Sequence, residues 1–120
     1  MVPPVDVAGF YKAGDIFVSA SQCETQGMTY IEAMACGLPL PCHRDECLRG
    51  VVCQGINGFA YDSKEQFLAF LEVMVSTDLR HRMGVAAGRL ARQRFSEDGF
   101  AANALAVYRS CLNAAAVAAA

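Results

Sequence analysis

Apolar positions in this chain fall into short blocks, each with its own period. Val7, Phe10 and Tyr11 stand at helical spacing and predict a short helix over residues 5–13. Asp15 to Ser19 holds the unbroken run Ile16-Phe17-Val18, the pattern of a strand buried on both faces of a parallel sheet. A helix is expected to start at Met28 or Thr29 and stop at Gly37, with Pro39 just beyond. Thr29-x-x-Glu32 fits a capping box at its start. Leu38 to Cys42 reads as a second strand, weakened by Pro41, which cannot donate to a sheet ladder. A short helix or turn containing Gly50 is expected between Asp45 and Val52. Gly55-Ile56-Asn57-Gly58 signals a tight turn, and Phe59-Ala60-Tyr61 a short strand after it.

The remainder is helical in pattern. Ser63-x-x-Gln66 is a second capping box, ahead of Phe67, Phe70, Leu71 and Met74 on one face. Asp78 is the expected cap of the next helix, with Leu79, Met83, Ala86 and Leu90 on its apolar side. Ser96 is the expected cap of the last, with Phe100, Ala104, Val107, Tyr108 and Cys111 facing inward. The alanine-rich tail over 114–120 is expected to fray, leaving 1–113 as the folded unit, with no internal repeat or dividing linker. About three strands fed by helices, with no hairpin pattern, give an α/β class: parallel strands, flanking helices and a helical C-terminus. A parallel sheet needs more strands than this, so the chain reads as one half of a doubly wound domain.

Composition narrows the picture. A 120-residue chain that is 54% hydrophobic has material for one packed core, which argues against a disordered chain. A formal charge of −2 argues against a generic nucleic-acid binder. No apolar run approaches the roughly 18–20 residues that span a bilayer, and Met1-Val2-Pro3-Pro4 does not resemble a signal peptide. A cytoplasmic location is the expectation, with peripheral contact at the inner face of a membrane left open. The six cysteines show neither a C-x-x-C pair nor zinc spacing and are read as reduced, structural thiols. Arg80, Arg82, Arg89, Arg92 and Arg94 form a basic stretch without intervening acids, read as a solvated helix face. The sequence has no Asp cluster that would demand a metal, and no cofactor is called for.

Candidate chemistry lies between the first strand and the helix that follows it. Glu24 and Glu32 stand eight positions apart across Gly27, in the order strand, glycine-containing turn, helix. Ligands of open α/β sheets bind at the carboxyl ends of strands, where helix N-termini point. Glu24 on the turn and Glu32 in the first helical turn can then face one bound molecule. A carboxylate there is suited to accept from sugar or ribose hydroxyls. Glu32 can equally serve only as the capping partner of Thr29, and Glu24 as a solvated loop acid.

The block Glu24-Thr25-Gln26-Gly27-Met28-Thr29-Tyr30-Ile31-Glu32-Ala33-Met34-Ala35-Cys36-Gly37-Leu38-Pro39 closely resembles the E-x7-E motif of retaining GT-B glycosyltransferases of the family 4 type. Ala13 to Ser21 resembles the strand that precedes that motif, and Gly55-Ile56-Asn57-Gly58-Phe59 the family's later Asn-Gly turn. The resemblance implies the C-terminal part of a Rossmann-like GT-B donor-binding domain. It implies that Glu24 contacts the donor sugar and that Gln26, Gly27, Met28 and Thr29 approach the sugar and diphosphate. By the same resemblance Glu32 holds the ribose hydroxyls. Physical chemistry is compatible with each role: glycine admits a close ligand, and helix N-terminal amides attract a diphosphate. The implied donor is a nucleotide-diphosphate sugar such as UDP-glucose. Short strings around Glu24 and Asp45 to Val52 look most like bacterial enzymes that glucosylate diacylglycerol, which makes a membrane lipid a candidate acceptor.

In the family, the catalytic histidine and the basic residues that grip the donor phosphates lie far upstream. Lys12, Arg44 and Arg49 are not at matching positions, and nothing before Val5 can supply them. No catalytic residue is therefore assigned within this chain, which is expected to be inactive without an N-terminal domain. Two other classes stay open: a fragment of a nucleotide-sugar epimerase of related architecture, and a non-enzymatic nucleotide-sugar-binding module or remnant.

Overall fold

The computed structural model describes residues 6–22 and 27–118. Its elements run α1 (Val7–Lys12), α2 (Met28–Ala35), β1 (Leu40–His43), β2 (Gly58–Tyr61), α3 (Lys64–Val73), α4 (Thr77–Arg94) and α5 (Glu97–Ala118). The expected mixture of helices and parallel strands is thus present. β1 and β2 pair in parallel, with Leu40 opposite Gly58 and His43 opposite Tyr61.

Pro41 sits inside β1 after all, and backbone alternation explains both its tolerance and its cost. Leu40 N–H points to β2, donating to the Asn57 carbonyl at 3.0 Å. Odd-numbered positions face the other way, toward residues 17–19. There Phe17 N–H donates to the Pro39 carbonyl (3.0 Å), Ser19 N–H to Pro41 (3.4 Å), and His43 N–H to Ser19 (2.8 Å). By the same alternation, the N–H that proline lacks would have met the Phe17 carbonyl. Residues 15–19 therefore run alongside β1, as the apolar run predicts, but form only an isolated bridge at Ser19.

α2 ends where the sequence says it should. Gly37 takes φ +81°, its N–H donates to Met34 O at 2.9 Å, and Leu38 N–H reaches Ala33 O at 3.0 Å. These are the two bonds of a Schellman motif. The helix starts at Met28, as expected, but its cap differs. The N-cap is Gly27, without a side-chain cap, and Thr29 lies inside the helix, so Thr29 and Glu32 do not form a capping box. The αL turn at Gly27 starts the helix early enough to place Thr29 beyond the capping position.

Between the strands, Asp45 caps a single 3-10 turn over Glu46–Leu48 by accepting from Cys47 N–H at 3.1 Å. Asn57, fully buried, then pins the turn before β2: its side chain accepts from Cys53 N–H (2.7 Å) and donates to Val51 O (2.8 Å). A buried amide keeps its place only with its polar atoms satisfied.

Ser63 caps α3 as predicted, while Gln66 accepts from Asp62 N–H in place of the cap residue's own amide. Ser76, not Asp78, caps α4, accepting from Leu79 N–H at 3.3 Å. Asp78 falls in the first turn, where a carboxylate suits the helix dipole, and pairs with Arg82 at 3.2 Å. Arg80 turns back to donate to Met74 O and Val75 O beyond the end of α3, and Arg94 donates to Gly50 O. The exposed Arg82, Arg89 and Arg92 match the solvated face.

The core gathers Tyr30, Ala33 and Met34 of α2, Leu38, Leu40 and Cys42 around β1, Leu48, Val51 and Ala60, and Ala87 and Ala91 of α4. α4 meets α2 at backbone distance. A Cβ on Gly84 would run into the Gly37 carbonyl. Cys36, Cys42, Cys53 and Cys111 carry free thiols, and burial pushes the Cys42 thiol up to about 12.

α5 overturns one expectation. Ser96 does cap it, accepting from Gly99 N–H at 3.1 Å. But Phe100 is 74% exposed, Tyr108 70% and Val107 61%, and Cys111 is exposed too. Helical periodicity creates an apolar face; it does not supply a neighbour. At 22 residues, roughly 33 Å at 1.5 Å per residue, α5 outruns the body it starts from.

Candidate functional site

The carboxyl ends of the strands are tied into one edge by Ser19. Its carbonyl accepts from His43 N–H at 2.8 Å and from the Tyr61 hydroxyl at 3.0 Å. Its hydroxyl lies 2.9 Å from the Tyr30 hydroxyl and accepts from Ser21 N–H at 3.2 Å. His43 Nδ1 is 3.0 Å from the Arg44 carbonyl, which can only accept, so Nδ1 carries the proton. Nε2 is then left to accept from the Gln22 amide at 3.4 Å.

The N-terminus of α2 opens on this edge. Gly27 takes φ +59°, and a Cβ there would stand 2.8 Å from the Tyr30 ring, so both conformation and space call for glycine. Tyr30, almost fully buried, meets Phe17 edge to face at 5.7 Å. Its backbone N–H donates to Gly27 O at 3.0 Å, which completes the first turn. The amides that open a helix have no acceptor within it and point along the axis toward whatever lies in front.

Met28, Thr29 and Glu32 are all exposed, and their spacing of three and four puts them on one side of α2, opposite the buried Ala33 and Met34. Of the sequence-predicted site residues, the structure thus brings Gly27, Met28, Thr29 and Glu32 together. Glu24 and Gln26 lie outside the described residues.

Glu32 has a partner that the sequence reading assigned only to a helix face. The Tyr11 hydroxyl donates to Glu32 Oε2 at 2.9 Å. Burial, and then the carboxylate beside it, push the Tyr11 hydroxyl up to about 12, which keeps it a donor. Nothing local in Val7 to Lys12 signals this contact, because it joins positions 21 residues apart through the fold.

The clefts of about 300 and 370 Å³ lie elsewhere. Both are lined by Cys36, Gly37 and His81, at the far end of α2 from Gly27. Geometry, not cleft size, marks the candidate site: a helix N-terminus at the carboxyl edge of parallel strands, with a carboxylate on its open side. Among the described residues no three His, Cys, Asp or Glu side chains converge as a metal site requires. Among the described residues, no helix is long and apolar enough to cross a membrane.

Comparison with known proteins identifies the family. Residues 1–89 match the family described as glycosyl transferases group 1. An alpha-monoglucosyldiacylglycerol synthase of Streptococcus pneumoniae is 37% identical over 78 residues, 64% of this chain and 18% of that protein. The protein of the same name in Acholeplasma laidlawii is 36% identical over 70 residues, 58% of this chain and 18% of its own length. A D-inositol 3-phosphate glycosyltransferase of Xylanimonas cellulosilytica is 35% identical over 112 residues, 88% of this chain and 27% of the relative. The chain therefore spans about a fifth to a quarter of the length of these relatives. With the family profile covering well over half of its residues, this chain belongs to the group 1 glycosyl transferases.

Proposed function

We propose that this chain is the donor-binding portion of a retaining glycosyltransferase that moves a hexosyl group from a nucleotide-diphosphate sugar to an acceptor. The observation that carries the reading is the α2 N-terminus, with Gly27 in its αL turn and Glu32 exposed on the open side of the helix. Glu32 accepts from the ribose hydroxyls. Gly27, Met28 and Thr29 offer backbone amides to the diphosphate, whose negative charge grows as the sugar leaves. Glu24 and Gln26 contact the sugar. The donor is a UDP-sugar such as UDP-glucose. The acceptor is a lipid such as diacylglycerol, an assignment supported by the names of two relatives, both alpha-monoglucosyldiacylglycerol synthases. The protein works in the cytoplasm, at the inner face of the membrane where that lipid lies.

Catalytic and phosphate-gripping side chains come, in this reading, from a further domain, so the 120-residue chain by itself binds donor without transferring sugar. Saturation-transfer NMR with UDP-glucose tests it directly. Glu32→Ala is expected to weaken binding at least about tenfold, the scale of a lost hydrogen bond to a charged group. Unchanged affinity in that variant sinks the ribose role. Robust sugar transfer by the isolated chain sinks the division of labour.

A further inference from the structure

Glu32 is exposed, and an exposed glutamate normally samples many rotamers. Here one oxygen is already held: the Tyr11 hydroxyl donates to Oε2 at 2.9 Å. The donor is itself fixed. Its ring packs against Phe17 with centroids 5.9 Å apart, and Phe17 meets the buried Tyr30 at 5.7 Å. Tyr30 in turn lies under Gly27 and reaches Ser19 at the strand edge. One aromatic row thus links the glycine turn to the carboxylate.

We infer that Tyr11 is a positioning residue for nucleotide recognition: it holds the Glu32 carboxylate in the orientation that accepts a ribose diol. This inference rests on the ribose role proposed for Glu32 and adds to it the group that sets the carboxylate's direction. Tyr11 does not use up the acceptor. A carboxylate offers about four lone-pair sites, of which the phenol takes one, leaving Oε1 free and a second site on Oε2. Restricting the side chain before binding removes an ordering cost of about 0.5–1.5 kcal/mol, which is roughly two- to tenfold in affinity.

The test compares the full chain with Tyr11→Phe, Glu32→Ala and the double variant. UDP and 2′,3′-dideoxy-UDP serve as probes, and circular-dichroism melts check the fold. Phenylalanine keeps the ring contacts and deletes only the donor. Tyr11→Phe is expected to weaken UDP binding about two- to tenfold, to leave dideoxy-UDP binding unchanged, and to add nothing in the Glu32→Ala background. Equal losses on both probes mean a merely structural tyrosine and overturn the inference. So does an unchanged UDP affinity in Tyr11→Phe when Glu32→Ala weakens it, with the ribose reading left standing. If Glu32→Ala binds UDP as wild type does, or wild type binds neither probe, the ribose reading falls and the inference with it.

Discussion

Helices α4 and α5 are built from similar instructions. Each is long, each is capped by a serine, and each carries an apolar stripe at helical spacing. Yet Met83, Gly84, Ala87, Gly88 and Ala91 of α4 are buried, while Phe100, Val107, Tyr108 and Leu112 of α5 are exposed. Side-chain size separates them. α4 turns glycine and alanine inward, so its backbone can approach α2 closely enough for Gly84 to touch Gly37. α5 presents large side chains, and only its beginning lies near α4. Small residues on a helix record a neighbour already in place. A stripe of large ones records a demand for cover, without stating what meets it.

The contrast can be pressed from both sides. The largest effect is expected on the α2 side of the packed pair. Met34→Ala empties a fully buried site and should cost about 3 kcal/mol in denaturant unfolding. A loss under about 1 kcal/mol would mean that this core is not closely packed. Gly84→Ala comes next and is the sharper probe because its sign is unusual. Alanine in a helix normally gains about 1 kcal/mol over glycine, but here the added methyl meets the Gly37 carbonyl. A net loss of about 2 kcal/mol is expected, and a gain would remove the backbone contact from the account. The smallest effect belongs to α5: Phe100→Ser with Tyr108→Ser should change stability by less than about 0.5 kcal/mol. A larger loss would show that the face is covered in solution and would erase the contrast.

These regions also show how far sequence alone reaches. Local signals carried the elements: the Gly37 stop with its Schellman bonds, the Ser63 and Ser96 caps, the turn ahead of Gly58, and the apolar run opposite β1. Each depends on residues within a few positions of one another. The α2 cap misled because Thr29-x-x-Glu32 spells a capping box, whereas the αL turn at Gly27 starts the helix before that box can form. The inward face assigned to α5 failed because periodicity does not encode partners. In the site, the glycine turn and Glu32 were legible as a motif. Tyr11 and Ser19 were not, since their roles arise only when α1 and residues 17–19 fold back against α2.

The Gly37–Gly84 contact has one more consequence. Side chains between helices act as compliant spacers, because rotamers shift and absorb small displacements. Where carbonyl meets Cα there is no such give. α2 is thereby fastened at its C-terminal end to an 18-residue helix, while its N-terminal end faces the candidate site. Any shift of α2 is then expected to be shared by α4, with little play between them at Gly84.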